Sequence, residues 1–140
     1  MKWSHKAALA ASAITLVSGG AAGTALAATA VTPAAVGTAF NASGTWALGQ
    51  SNGTTTTVTL TQDPAGNLSG NATAETSGIS GTVGSGSQVD GTYIIFTINW
   101  SNGSVGQHTA ALQSDRTLYG TTLALTNVAS HATWYTYKTF

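Results

Sequence analysis

From Asn41 onward the apolar residues of the chain recur at every second position, and turn-forming residues break the pattern about every ten positions. A period of two is that of a strand with one buried and one exposed face, since successive side chains point to opposite sides of a sheet. Strands of this length separated by short turns predict an all-β meander. Eight strands are expected, over residues 44–50, 54–62, 68–75, 79–85, 92–100, 104–113, 118–125 and 132–139. Ser51-Asn52-Gly53 and Ser101-Asn102-Gly103 mark two of the turns, because Asn-Gly supplies the positive φ angles that a tight hairpin needs. Asp63-Pro64-Ala65-Gly66-Asn67 and Ser114-Asp115-Arg116 mark two more, and loops are expected over 86–91 and 126–131. No stretch after Phe40 joins an apolar stripe at helical spacing to a capping residue.

The alternation assigns a core face. Val58 and Leu60, then Ile94, Phe96, Ile98 and Trp100, then Trp134, fall on one parity of their strands, while Thr55, Thr57, Thr59 and Thr61 take the opposite side. Strands buried on one face only belong to an antiparallel sheet around a single core. Short connections make sequential strands neighbours, and eight of them remove both sheet edges by closing into an up-and-down barrel. Such a barrel is just wide enough inside for side chains or one small ligand. Tyr93, Tyr119, Tyr135 and Tyr137 have outward parity, as a contact surface for carbohydrate, for protein or for a second copy in a homo-oligomer. The Thr-rich outer face cannot form the lipid-facing apolar band of a membrane barrel.

The chain also repeats itself weakly. Ser51-Asn52-Gly53 recurs 50 residues later as Ser101-Asn102-Gly103, and at the same offset Thr59 matches Thr109, Leu68 matches Leu118, Gly70 matches Gly120 and Ala74 matches Ala124. Two diverged halves of four strands each account for this.

Ahead of the strands, Met1-Lys2-Trp3-Ser4-His5-Lys6 forms a positive n-region, residues 7–26 an Ala-rich apolar run, and Ala25-Leu26-Ala27 an Ala-x-Ala cleavage site. These three parts in this order predict a secretory signal peptide over 1–27, cut after Ala27, and an extracellular protein with no membrane span in its mature form. A flexible N-terminal arm is expected over 28–40 and a single barrel domain over 41–140. Cleavage leaves Arg116 and Lys138 against Asp63, Glu75, Asp90 and Asp115, too few cations for a phosphate-binding face, so nucleic acid is not an expected partner. The absence of Cys removes disulfides, thiolate metal sites and thiol nucleophiles together.

Gly44-Thr45-Trp46 on the first strand of an eight-strand meander resembles the calycins, the superfamily of lipocalins and avidins. The closer likeness is to the avidin and streptavidin family. Gly-Thr-Trp opens that family's barrel, a Leu-x-Gly like Leu68-Ser69-Gly70 begins its third strand, and Phe96-Thr97-Ile98-Asn99-Trp100 matches its aromatic-x-x-x-Trp strand. The resemblance implies a ligand at the barrel mouth, with Trp100 packing on it. It also implies that biotin is not that ligand. The first-strand Asn that polarises the ureido oxygen is replaced by Leu48, the last-strand Asp has no counterpart in residues 132–138, and no Trp lies in the loop 126–131. Against lipocalins, which cover the first-strand Trp with a basic residue, only Lys138 is available.

Chemistry has little to work with. Asp63, Asp90 and Asp115 sit in turns or loops, where Asp is preferred for its local backbone hydrogen bond. No G-x-S-x-G elbow, H-E-x-x-H helix or phosphate-cradling loop occurs, and His108 and His131 stand at no ligand spacing, so neither an enzyme nor a metal or other cofactor is expected. The expectation is a secreted, non-catalytic barrel whose mouth, near Phe96, Trp100, Thr109 and Trp134, holds a small apolar or sugar-like ligand. The alternative is an extracellular interaction or structural module, an inhibitor or envelope-associated protein, with a filled barrel; a third reading, an ice or polysaccharide binder, rests on the Thr-rich face alone.

Overall fold

A computed structural model describes residues 37–140; the signal peptide and cleavage position expected over 1–27, and most of the arm, lie outside the described residues. Among the described residues the chain forms nine strands and no helix. They are β1 (Gly44–Gln50), β2 (Thr55–Gln62), β3 (Leu68–Ala74), β4 (Ile79–Val83), β5 (Gln88–Asp90), β6 (Tyr93–Trp100), β7 (Val105–Leu112), β8 (Leu118–Ala124) and β9 (His131–Thr136). All pairings are antiparallel, in the order β4-β3-β2-β1-β9-β8-β7-β6-β5, and β4 also pairs with β6, which closes the barrel.

The barrel has eight staves although it has nine strands. The loop expected over 86–91 contains β5, which pairs with the first part of β6 (Val89↔Ile94), while β4 pairs with its last part (Val83↔Ile98). On its other side β5 reaches β3 through the Asn67↔Gln88 bridge and the Leu68 N–H bonded to the Ser87 carbonyl. β4 and β5 are therefore two parts of one stave, parted by an excursion. Ser87 pins that excursion, its hydroxyl donating to the Gly84 carbonyl at 2.7 Å and accepting from the Thr97 N–H at 3.1 Å.

The two halves suggested by the repeat run 4-3-2-1 and 9-8-7-6 around the barrel. Registers coincide at the 50-residue offset: Trp46↔Val58↔Ala72 in the first half corresponds to Phe96↔His108↔Thr122 in the second. The shared Leu-x-Gly has a packing cause. A Cβ at Gly120 would stand 1.8 Å from the Thr109 carbonyl oxygen, and one at Gly70 2.0 Å from that of Thr59. Only glycine permits such an approach.

The core fills one end of the barrel. Trp46 and Trp134 stack with centroids 6.4 Å apart, and Phe96 meets both edge-on at about 6 Å, geometries that aromatic pairs prefer. Their polar atoms are satisfied, Trp46 Nε1 donating to the Ala42 carbonyl and Trp134 Nε1 to that of Thr121. Phe140 packs edge-on against Trp46 at 5.3 Å and against Phe40 at 5.5 Å, plugging this end. The C-terminal part of the expected arm is thus docked: Phe40 is buried and the Ala39 N–H bonds the Gly91 carbonyl. Lys138 reaches Trp46 only indirectly, lying over the Phe140 ring with its Nζ donating to the Ser43 carbonyl.

Candidate functional site at the barrel mouth

The opposite end, ringed by the β1–β2, β3–β4, β6–β7 and β8–β9 connections, is open. It leads into a cavity of about 210 Å³. The two Asn-Gly turns stand on this rim in like geometry, Gly53 and Gly103 having φ of 83° and 85° and the Asn52 and Asn102 side chains accepting from the N–H two residues on. Trp100 and Gln50 project into the cavity from equivalent positions at the ends of β6 and β1.

Among the described residues no Asp, Glu, Lys or Arg lines the cavity, and the titratable ones that do are His108 and His131. His131 is exposed at the rim. His108 lies at the base of the cavity with 1% of its surface exposed. Its ring stacks on Phe96 with centroids 4.8 Å apart and planes 6° from parallel, and Trp134 meets it edge-on at 6.3 Å. Neither ring nitrogen has a hydrogen-bond partner, and the buried Oγ1 of Thr122, its cross-strand neighbour, has none either. Burial among these rings pushes the imidazole down to about 4 from the usual 6.5, so it is neutral near pH 7. The Gly106 backbone beside it works against that shift, without the geometry of a hydrogen bond. Gly106 lies against the ring edge: a Cβ there would stand 3.4 Å from His108 Cε1 and 3.5 Å from Trp100 Nε1, in ordinary contact with both.

Of the four residues expected near the mouth, Trp100 lines it, half-buried. Phe96 and Trp134 lie beneath, without exposure, as its floor. Thr109 projects from the outer face, its Oγ1 3.2 Å from that of Thr121, because the parity of β7 turns His108 and Ala110 inward instead. His108 and Thr122 escape a parity argument, since Val-Gly-Gln-His-Thr-Ala-Ala-Leu in β7 has no apolar alternation from which to assign a face. The repeat carried the missing signal: His108 stands at the offset of Val58, a core residue.

Searches against protein-family models, curated proteins and solved structures find no match to the chain. The closed antiparallel barrel of eight staves is compatible with a calycin-like fold.

Proposed function

We propose that the protein is a secreted, non-catalytic binding barrel of avidin-like build that holds a compact apolar or sugar-like ligand at its mouth. The observation that carries this reading is the contrast between the two ends: one is plugged by aromatic side chains, the other opens into a cavity walled by Trp100 and uncharged polar groups. A concave apolar wall with a few convergent polar groups is the usual form of a small-molecule site. Biotin is not the ligand, because Leu48 stands fully buried where the resembling family places a polar partner.

Titration with benzyl alcohol and with methyl α-glucoside, followed by the Trp100 indole and Gly106 amide NMR signals, tests it. At least one of the two shifts these signals saturably while the Trp46 indole signal stays put. Mouth signals unmoved by both probes overturn the reading. One observation favours the interaction module as a second reading: Tyr93, Tyr119 and Tyr135 form an exposed row across the outside of β6 to β9, with Tyr137 beyond it.

A further inference from the structure

The deepest polar groups of the mouth occur in only one of the two halves. In the first, Val58 on β2 pairs with Ala72 on β3, both buried and apolar. At the equivalent places in the second half, β7 and β8 carry His108 and Thr122. The fold thus closes this layer with apolar residues on one side and with two unpartnered hydrogen-bonding groups on the other. Leaving such groups unmade costs free energy that a Val and Ala pair avoids. Three unpartnered atoms lie at the base of one cavity whose lining includes His108 and Thr122, each atom itself buried, and beside the His108 ring edge position 106 carries no side chain.

We propose that His108 and Thr122 are the polar anchor of the mouth, and that they select an uncharged ligand presenting a hydrogen-bond donor and an acceptor side by side, with a flat apolar body beside Trp100. The inference rests on the binding reading above and deepens it. A neutral imidazole has one N–H donor and one bare nitrogen acceptor, and a threonine hydroxyl can give or take. Together they match a group such as a carboxamide, which both gives and accepts. Among the described residues an anion finds no cation in the lining and a cation no carboxylate, and either would be desolvated against Phe96 and Trp134 without compensation.

The test uses four single-ring probes of nearly equal size, benzamide, benzoate, benzylamine and toluene, titrated at pH 7 against the protein and followed by the imidazole ¹⁵N signals of His108 and the indole signal of Trp100. Benzamide is expected to bind tightest of the four, by about tenfold over toluene, the loss expected for missing buried hydrogen bonds, and to move both His108 nitrogen signals. The variant His108→Leu/Thr122→Val is expected to keep its thermal midpoint or raise it, to bind toluene as before, and to lose the benzamide preference.

Benzamide binding no tighter than toluene overturns the proposal, since water then satisfies the two groups equally well. So does tighter binding of benzoate or benzylamine, or a double variant that keeps the preference. If the variant does not fold, the ranking of probes and the His108 signals of the unmodified protein decide the matter alone. Silence of the mouth toward all four probes sinks the binding reading itself, whereas toluene binding without a benzamide preference sinks only the anchor.

Discussion

Trp100 and Trp134 carry the same side chain on the same inner surface and are expected to answer truncation differently. Trp134 is fully buried, in ring contact with Trp46, Phe96 and His108, so Trp134→Ala opens a cavity in a packed layer and should cost roughly 3–5 kcal/mol. Trp100 is half-buried with one face to the mouth, so Trp100→Ala should cost less, about 1–2 kcal/mol on the same scale, while ligand affinity falls. Urea unfolding of both variants beside the parent protein checks the order; equal losses would mean that Trp100 is core and the mouth is filled. Leu48 makes a second prediction at this scale. It is buried opposite Thr136 with no polar atom to offer, so calorimetry with biotin should show no tight binding, and nanomolar affinity would refute the placement of the site residues.

Among the elements, the hairpins that read most clearly in the sequence are those whose turns have a single chemical solution. The two Asn-Gly turns fall where expected, and the strands joined by them begin and end within a residue of expectation. β5 was hidden, because three residues of Gln-Val-Asp carry no periodicity and the strand exists only through what borders it, β3 on one side and β6 on the other. The face of β7 was hidden for a related reason: its inward residues, Gly106, His108 and Ala110, are not hydrophobic in the way a pattern search requires, although long-range packing buries all three. So the barrel was legible and half of the mouth was not. Trp100 announced itself by parity, whereas His108 and Thr122 needed the alignment of the two halves. That alignment makes its own prediction through Gly120. With a Cβ at 1.8 Å from the Thr109 carbonyl, Gly120→Ala must push β7 and β8 apart and should destabilise by roughly 1–3 kcal/mol or more, read as a lower urea midpoint with an unchanged slope. An unchanged midpoint would show that the close approach of these strands is not needed.

For the whole molecule, the order of basic n-region, apolar run and Ala-x-Ala predicts export with a mature N-terminus at Ala28, which sequencing of the secreted product checks; an intact Met1 there would contradict it. A larger consequence follows from burying an imidazole in a domain with so few charges. In the unfolded chain His108 titrates near its ordinary 6.5, and in the barrel burial holds it at about 4. A group whose proton affinity falls on folding is bound to more protons in the unfolded state between those two values, so stability rises with pH across that window and is lost as the pH drops through it. At about 1.4 kcal/mol per pH unit of separation, the loss between pH 7 and pH 4 is on the order of 3 kcal/mol. The groups packed on the ring, Phe96, Trp134 and Thr122, do not titrate in this range, and among the described residues no carboxylate or cation lines the cavity to reverse the sign. The lowered carboxyls of Asp63 and Asp115, held by turn hydrogen bonds to Asn67 and Thr117, act only below their ordinary 3.8 and so fall outside the window. Urea unfolding from pH 7 down to pH 4 should therefore show falling stability in the parent protein and a nearly flat profile in His108→Leu. A parent profile that is equally flat would mean that the folded state accepts a proton at His108 without penalty, and that the imidazole is not sealed against the aromatic floor.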